Sequence, residues 1–308
     1  MLVDRTRENA AAETLAILRP KSTLPVALLR FCAQQPLGAF GAAVLIFAVV
    51  GAVLAPMLAP HSPTAIEVAE KFTPPFGKQI LGTDELGRDV LSRLIFGARI
   101  SMSVSLLSVG IAISAGTLIG IFSAYSGGKT DLAIQRLVDT MMAFPAIIMA
   151  LALMAALGAS QTNVIVALVV ILLPGAVRVV RSQVLSIKEQ DYTLAARAIG
   201  AGSTRIMLRH ILPNVMATYI VLSTITLGYA IVVEASLSFL GVGIPPDIAS
   251  WGGMLNLGAT TYIDVSPWLS VFPGITIAVI VFSVNLLGDS LRDVLDPRLR
   301  GNLPRIVG

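Results

Sequence analysis

The sequence predicts an all-α integral membrane protein that crosses the bilayer about six times. Only 13% of its 308 residues are charged and 55% are hydrophobic, with a mean hydropathy of +0.83. A soluble domain averages about 25% charged residues, so this chain has about half the charge of a typical solvated domain. Uncharged stretches repeatedly reach the roughly 20 residues that a helix needs to span hydrocarbon.

Six segments have the length and composition of membrane spans. They are 37–59, 99–125, 132–157, 163–183, 211–240 and 266–289. The third and fourth come from one apolar run that is interrupted by the polar residues 158–163, which favour a turn. A cleaved signal peptide is the alternative for the first span, but the apolar run is long for a signal core and a long polar segment precedes it.

The basic residues indicate which ends of the spans face the cytoplasm. Of the 22 Lys and Arg residues, all but five lie in the terminal segments 1–36 and 291–308 or in loops that six spans would place on the same side. The exceptions lie in or next to the segment 60–98, and they are Lys71, Lys78, Arg88, Arg93 and Arg99. Because cytoplasmic loops are enriched in Lys and Arg, we expect cytoplasmic termini, an outer loop at 60–98 and a large inner loop at 184–210.

The inner loop has the pattern of two short helices joined by a turn. Ser186 and Glu189 have the S-x-x-E spacing of an N-terminal capping box. Helix-forming residues follow as far as Gly200, which can take the left-handed conformation that ends a helix. Ser203 can then cap a second helix that runs through Ile211 into the next span.

Two small residues in the first of these helices would let a partner protein approach closely. The loop resembles the EAA loop of binding-protein-dependent ABC importers, whose pattern is Glu-Ala-Ala, three residues, Gly, nine residues, Ile-x-Leu-Pro. Leu194 and His210 stand where that pattern has Glu and Ile. The residues that match are Ala195, Ala196, Gly200, Leu212 and Pro213. The resemblance implies that these five residues, together with Tyr192, couple the chain to an ATPase.

Further segments resemble the C-type permease of dipeptide and oligopeptide importers, and they extend over almost the whole chain. They are 81–89, 209–214, 234–241, 285–289, 291–293 and 295–298. The resemblance implies the type I importer permease fold for residues 37–290 and a peptide as substrate, with glutathione, haem or a nickel complex as alternatives. It also implies a bacterial inner-membrane heterodimer with a B-type permease, two ATPase subunits that bind ATP and magnesium, and an external substrate-binding protein. No cofactor is expected in this chain.

Two acidic residues are expected in or near the membrane, where ionisable groups usually face water, a partner or a pathway. Asp139 lies near the inner leaflet and either pairs with Arg136 or faces the transport pathway. Glu234 lies near the outer end of the fifth span with Ser236 and Ser238 beside it. There it is either an anchor of the outer gate or a substrate contact, so Asp139, Glu234 and Ser236 are the pathway and gate candidates.

The outer loop ends in a charged segment that contains Asp84, Glu85, Arg88 and Asp89. Apolar residues at helical spacing follow, so we expect the segment 82–93 to lie along the membrane surface and pack on the mouths of the spans. The alternative is a gate or a docking surface for the binding protein, for which these four residues are the candidates.

Other functions fit the sequence less well. Residues 128–130 are Gly-Lys-Thr, but the first glycine of a P-loop would fall on Ser123 and a membrane span precedes it. One cysteine, Cys32, and two separated histidines offer no metal-ligand spacing. An ion-coupled secondary transporter needs carboxylates near mid-membrane, for which Asp139 is the one candidate, and no span contains a catalytic pattern of an enzyme.

Overall fold

The structure, a computed structural model, describes residues 31–295. Within that range the elements are α1 (Pro36–Val53), α2 (Ala55–Leu58), α3 (Val90–Ser126), α4 (Gly128–Met142), α5 (Ala146–Leu157), α6 (Gln161–Ile187), α7 (Asp191–Ala198), α8 (Ser203–Ile206), a π-helical turn (Met207–Ile211), α9 (Leu212–Phe239), α10 (Trp251–Thr260) and α11 (Trp268–Leu295). The all-α fold class is confirmed. The two predicted terminal tails lie mostly outside the described residues.

Five helical segments are long and apolar enough to cross a membrane, namely α1, α3, α6, the run Ser203–Phe239 and α11. Helices α4 and α5 together form a sixth candidate, which agrees with the predicted number. We name the two ends of the bundle after the predicted orientation. The inner end contains residues 184–210, and the outer end contains residues 60–89.

Helix α3 begins at Val90, well before the predicted span start at residue 99. Asp89 caps it, because its carboxylate accepts hydrogen bonds from the backbone N–H and the hydroxyl of Ser92 at 2.9 and 2.6 Å. Gly127, with φ of +64°, follows its last residue. The 37-residue helix is about 55 Å long, so its outer part extends beyond the hydrocarbon, and the outer loop is shorter than predicted.

The predicted span 132–157 is two helices, α4 and α5, that are bent by 86° relative to each other. Pro145 lies in the break between them. A proline disfavours helical geometry in the residue before it and cannot donate a backbone hydrogen bond, so the helix is interrupted here. With 12 residues, α5 is too short to cross hydrocarbon alone.

The core of the bundle lies along the pairing of α3 with α6, the most extensive helix contact in the described residues. Glycines allow the close approach. A Cβ atom at Gly116 would lie 3.2 Å from the carbonyl oxygen of Leu173, and one at Gly120 would lie 2.8 Å from that of Val177. The buried apolar cluster around this pairing joins α3, α5, α6 and α9 through side chains that include Ile113, Met154, Leu168 and Leu237.

The sequence does not predict α10, a short helix at the outer end between the fifth and sixth spans. Ser250 caps it by accepting a hydrogen bond from the N–H of Gly253 at 3.2 Å. Its ten residues include three glycines, which lowers the helix propensity. Tertiary packing compensates, because Trp251 is buried and its indole N–H donates to the carbonyl of Leu94 on α3 at 3.1 Å.

Candidate functional site

The first helix of the inner loop, α7, spans Asp191–Ala198. The predicted capping box does not form, because Ser186 lies inside α6 and no side chain caps α7 at Gln190. Helix α6 continues to Ile187 because Val184 and Ile187 are buried in the apolar core of the inner end. Packing of an apolar face therefore outweighs the local cap signal.

Gly200 follows α7 in the conformation that the sequence predicts, with φ of +83°. Its N–H donates to the carbonyl of Arg197, and the N–H of Ala201 donates to the carbonyl of Ala196, both at 3.0 Å. This pair of bonds defines a Schellman motif, which requires one residue in the left-handed region. The turn after α7 thus depends on a backbone conformation that costs other L-residues about 1–2 kcal/mol.

One side of α7 packs on the protein's own helices. Thr193 is fully buried, and its hydroxyl donates to the carbonyl of Ile187 at 3.1 Å. The Arg197 guanidinium lies 5.9 Å from the ring centre of Tyr125 on α3, within cation–π range. Ala196 is 7% exposed and lies in an apolar cluster that we call the seat of α7. The seat also contains Ile121 and Ala124 of α3, Val180, Val184 and Ile187 of α6, and Ile206, Ile211 and Val215.

The other side of α7 is exposed and largely apolar. Tyr192, Leu194 and Ile199 are 43%, 41% and 86% exposed. Ala195 is exposed as well, whereas Ala196 faces the seat. This corrects the expectation that both alanines belong to one docking face, since consecutive residues on a helix point about 100° apart.

Leu212 and Pro213 lie where the loop enters α9. The preceding residues Met207–Ile211 form a π-helical turn. Pro213 has no N–H to donate to the carbonyl of Arg209, and its ring crowds that carbonyl, so the backbone widens. Leu212 packs against the seat. The second predicted cap is absent, because the Ser203 side chain makes no capping hydrogen bond to α8.

A bidentate ion pair holds α4 against α6 at the inner end. Arg181 donates from Nε and Nη2 to the two carboxylate oxygens of Asp131, at 2.7 and 2.5 Å. The hydroxyl of Ser123 on α3 donates to the same carboxylate at 2.6 Å. Paired N–H···O bonds of this kind are among the strong hydrogen bonds of proteins, so Asp131 joins three helices.

Asp139 pairs with Arg178 of α6 and not with Arg136. The side of α4 that packs on α6 contains Asp131, Val138 and Asp139, whereas Arg136 is exposed in another direction. Both side chains of the Asp139 pair are about half exposed, so the pair contributes about 0–1 kcal/mol. The expected ion pair between Asp139 and Arg136 is therefore wrong, because the partner of Asp139 is Arg178.

Glu234 on α9 is fully buried. The hydroxyl of Ser238 donates to its Oε1 at 2.9 Å, while Oε2 has no hydrogen-bond partner. No ion pair in residues 31–295 includes Glu234. The hydroxyl of Ser101 on α3 lies next to the Glu234 carboxyl, and it accepts a hydrogen bond from the backbone N–H of Trp251 on α10 at 3.3 Å. The carboxyl therefore lies where α3, α9 and α10 meet.

Ser236 faces away from this junction. Ser236 is half-buried, and its hydroxyl donates to the carbonyl of Val232 in its own helix at 2.7 Å. Residues two positions apart on a helix point in nearly opposite directions, whereas those three or four apart share a side. Ser236 consequently lies on the side of α9 that exposes Tyr229 and Val232, while Ser238 lies on the side of Glu234.

Three of the four charged candidates of the outer loop, Asp84, Glu85 and Arg88, form an internal network. Asp84 Oδ1 accepts from the N–H groups of Leu86 and Arg88 at 2.9 Å, and its Oδ2 accepts from the Arg88 guanidinium at 2.6 Å. Arg88 also donates to Glu85 at 2.7 Å, and Asp89 caps α3. Since Asp84, Arg88 and Asp89 are buried, they fold the loop onto the end of α3 and are not exposed contacts.

Glu85 is the least satisfied member of this network. One of its carboxylate oxygens has no hydrogen-bond partner. Burial raises the pKa of the Glu85 carboxyl above its usual value, and the adjacent Asp84 carboxylate raises it further. The favourable charge of Arg88 only partly offsets these effects.

A cleft of about 440 Å³ lies among α6, α9 and α11, towards the inner end. Most of its lining is apolar, and Val179, Val221 and Ile225 are examples. Its polar residues include Gln183, Asn214, Thr218 and Arg292.

Comparison with known families relates these features to a function. Residues 116–301 match the model of the inner membrane component of binding-protein-dependent transport systems. The chain belongs to this family. Residues 26–75 also match the N-terminal transmembrane domain of oligopeptide transport permease C. Members of this family are multi-pass permease subunits of ABC importers in the inner membrane. These subunits are transport components and not enzymes. They work together with ATPase and binding-protein subunits.

Curated relatives match most of this permease. A putative peptide transport system permease protein of Brucella suis is 42% identical over 84% of this chain and 87% of its own length. The di/tripeptide transport system permease protein of Pseudomonas aeruginosa is 41% identical over 81% of this chain and 84% of its own length. The oligopeptide transport system permease protein of Bacillus subtilis is 36% identical over 89% of each chain.

A solved structure supports the fold of this permease. A chain of the MetNI methionine ABC transporter, in an inward-facing conformation, matches with a TM-score of 0.56 and 17% identity. The match covers 66% of this chain and 96% of that chain. At this identity the likeness shows the type I importer permease fold alone.

Sequence reasoning missed Arg178, Arg181 and Ile199. The two arginines are three residues apart at the inner end of a span, a spacing that puts them on one helix side, and this signal could have suggested partners on α4. Ile199 follows α7 as an isolated exposed apolar residue, which no periodicity singles out.

Proposed function

We propose that this chain is the C-type permease subunit of an ATP-driven peptide importer and forms half of the pathway through the membrane. The names of its relatives from Brucella suis, Pseudomonas aeruginosa and Bacillus subtilis all refer to peptides. A glutathione permease of Pectobacterium atrosepticum, 40% identical over 71% of this chain and 73% of its own length, makes glutathione the alternative substrate. Glutathione is itself a tripeptide.

The two-sided packing of α7 is the observation that carries the proposal. Its Ala196 side is fixed in the seat, and its other side presents Tyr192, Leu194 and Ile199. An amphipathic helix that offers an apolar face fits a groove on a soluble partner. We assign this face to one of two ATPase subunits, which bind ATP and magnesium themselves.

Movement of α7 would be transmitted mechanically. The seat joins α7 to the inner ends of α3, α6 and α9, so a displacement of α7 by the closing ATPases would displace these helices together. Close backbone contacts at Gly116 and Gly120 keep α3 and α6 as one unit. The ion pairs of Asp131 and Asp139 keep α4 with α6. This rigid-body motion would open the pathway alternately to the two sides.

A B-type permease would supply the second half of the pathway. The exposed side of α9 with Ser236 is our candidate for a surface that faces the pathway. Glu234 has the position of an anchor for the outer gate, since it is buried in α9, which packs on α3 and α10. Asp139 holds α4 against α6 through its ion pair with Arg178. The Asp84 network shapes the outer loop, on which an external binding protein would dock.

We place both termini in the cytoplasm, as the charge distribution favours. In a Cys32→Ser background, a cysteine at Gly202 should react with an impermeant maleimide only from the cytoplasmic side. A cysteine at Lys78 should react only from outside. Both sites are exposed in the structure, and the reverse labelling pattern would overturn the orientation.

The importer assignment is tested by its partners. The chain, purified with its B-type permease, should retain an ATPase subunit that has a Walker motif. ATP hydrolysis by that complex should increase when peptide-loaded binding protein is added. A complex without such a subunit would contradict the assignment. So would a complex whose rate of ATP hydrolysis does not change when peptide-loaded binding protein is added.

A further inference from the structure

A second cleft, of about 310 Å³, lies at the outer end of the permease. Three segments that are distant in sequence border it, namely the outer loop, the outer part of α3 and the residues before α10. The lining residues that matter here are Pro63, Phe96, Arg99, Ile100, Asp247 and Ile248. It is separate from the inner cleft, and its walls are apolar except for two opposite charges and Thr64.

Arg99 and Asp247 are the charged residues of this cleft. Both are exposed, and neither forms an ion pair with any of the residues 31–295. The nearby charges Asp84, Arg88 and Arg93 behave differently, since they pair with one another. One cleft therefore presents a free cation and a free anion beside apolar walls.

We infer that this cleft is an outer subsite for a short peptide with free termini. Arg99 binds the terminal carboxylate, because the guanidinium fork matches two carboxylate oxygens, and Asp247 accepts hydrogen bonds from the terminal ammonium group. Phe96 and Ile248 contact the peptide side chains. The volume is at the lower end of the roughly 300–1,000 Å³ of small-molecule pockets, which favours a dipeptide or tripeptide.

This inference rests on the proposed function, because a peptide must be the transported substrate. Its position agrees with that role, since a peptide released by an external binding protein reaches the outer end first. The other occupant that this surface could contact is the binding protein itself. The two possible occupants, a peptide and the binding protein, can be distinguished by modifying the termini of the peptide. Such a modification should change the effect of a mutation in a peptide subsite, but not the effect of a mutation in a docking surface for the binding protein.

The experiment uses the whole importer in proteoliposomes, with binding protein outside and ATP in the lumen. The probes are labelled Ala-Phe, its C-terminal amide and its N-acetyl derivative. Loss of a charge-assisted hydrogen bond should lower uptake about tenfold for the peptide that needs it. Arg99→Gln should thus lower the uptake of Ala-Phe and of N-acetyl Ala-Phe, leaving that of the amide at the wild-type rate.

Asp247→Asn should show the opposite pattern, lowering the uptake of Ala-Phe and the amide but not of the N-acetyl derivative. Arg99→Lys keeps the charge but loses the guanidinium fork, so it should recover the uptake of Ala-Phe only in part. The matched controls are Lys78→Gln and Glu70→Gln, which remove exposed charges of the outer loop outside the cleft. Both controls should behave as wild type with all three probes.

Each other outcome overturns the subsite. Equal losses with all three probes would identify the cleft as a docking surface for the binding protein. Wild-type uptake in both variants would show that the cleft has no part in transport. A wild-type complex that imports no peptide with ATP would refute the proposed function, and the subsite with it, so the two failures are distinguishable.

Discussion

Replacing Gly200 with alanine should shift the equilibrium of α7 away from its seat, whereas the same replacement at Gly202 should not. The two glycines lie in one turn, and a Cβ atom at either would meet no other atom within 4 Å. They differ in backbone conformation, since φ is +83° at Gly200 and −67° at Gly202. The pair therefore isolates the conformational requirement of the turn from any steric effect.

The expected magnitude follows from the left-handed conformation at Gly200. The left-handed conformation costs an L-residue about 1–2 kcal/mol. A cost of this size shifts the equilibrium between seated and released α7 about 5- to 30-fold. The same change at Gly202 should alter the free energy by no more than about 0.5 kcal/mol.

Hydrogen–deuterium exchange of the assembled importer in nanodiscs measures this equilibrium. The amides of 191–198 should exchange about 5- to 30-fold faster in Gly200→Ala and at the wild-type rate in Gly202→Ala. The number of peptides imported per ATP hydrolysed should fall in the first variant only. Identical exchange and identical coupling in both variants would refute the account of the turn.

Three further predictions concern side chains. Ala195→Glu should leave the thermal midpoint of the permease unchanged and weaken co-purification of the ATPase. Ala196→Glu should lower the thermal midpoint itself, because it buries an unpaired carboxylate in the seat. If the two variants behave alike in both measurements, the two-sided packing of α7 is contradicted. A double-mutant cycle should give Asp139 and Arg178 a coupling of about 0–1 kcal/mol in unfolding free energy, and coupling to Arg136 in its place would contradict the packing of α4 on α6. Glu234→Gln keeps the shape of the side chain and should retain peptide uptake, whereas Glu234→Ala leaves a cavity at the junction of three helices and should lower both uptake and midpoint. Equal loss of uptake in both Glu234 variants, with unchanged midpoints, would indicate a role of the carboxylate in transport itself.

The membrane fold could be predicted because hydrocarbon imposes a length on every span. The number of uncharged runs of sufficient length predicts the number of spans. The left-handed conformation of Gly200 could be predicted as well, because glycine is strongly preferred at positions with positive φ. The bend at Pro145 is also present in the sequence as a proline signal, but the uncharged run across it looks like a single span. Helix α10 has too few residues and too much glycine to be recognised locally.

The candidate sites were harder to predict, since they depend on which side of a helix faces which neighbour. Ala195 and Ala196 are equivalent in the sequence pattern and differ only through the packing of α7 on the seat. The partner of Asp139 is decided by the approach of α4 to α6. The Asp84 network looks exposed in the sequence, because charged residues usually face water, and only its mutual pairing allows it to be buried.

Uptake of a labelled dipeptide into proteoliposomes that contain the complete importer tests the central claim most directly. We predict uptake that requires lumenal ATP and peptide-loaded binding protein outside, and that persists when an ionophore collapses the proton gradient. Uptake that continues without ATP and stops with the ionophore would contradict the account and identify an ion-coupled transporter.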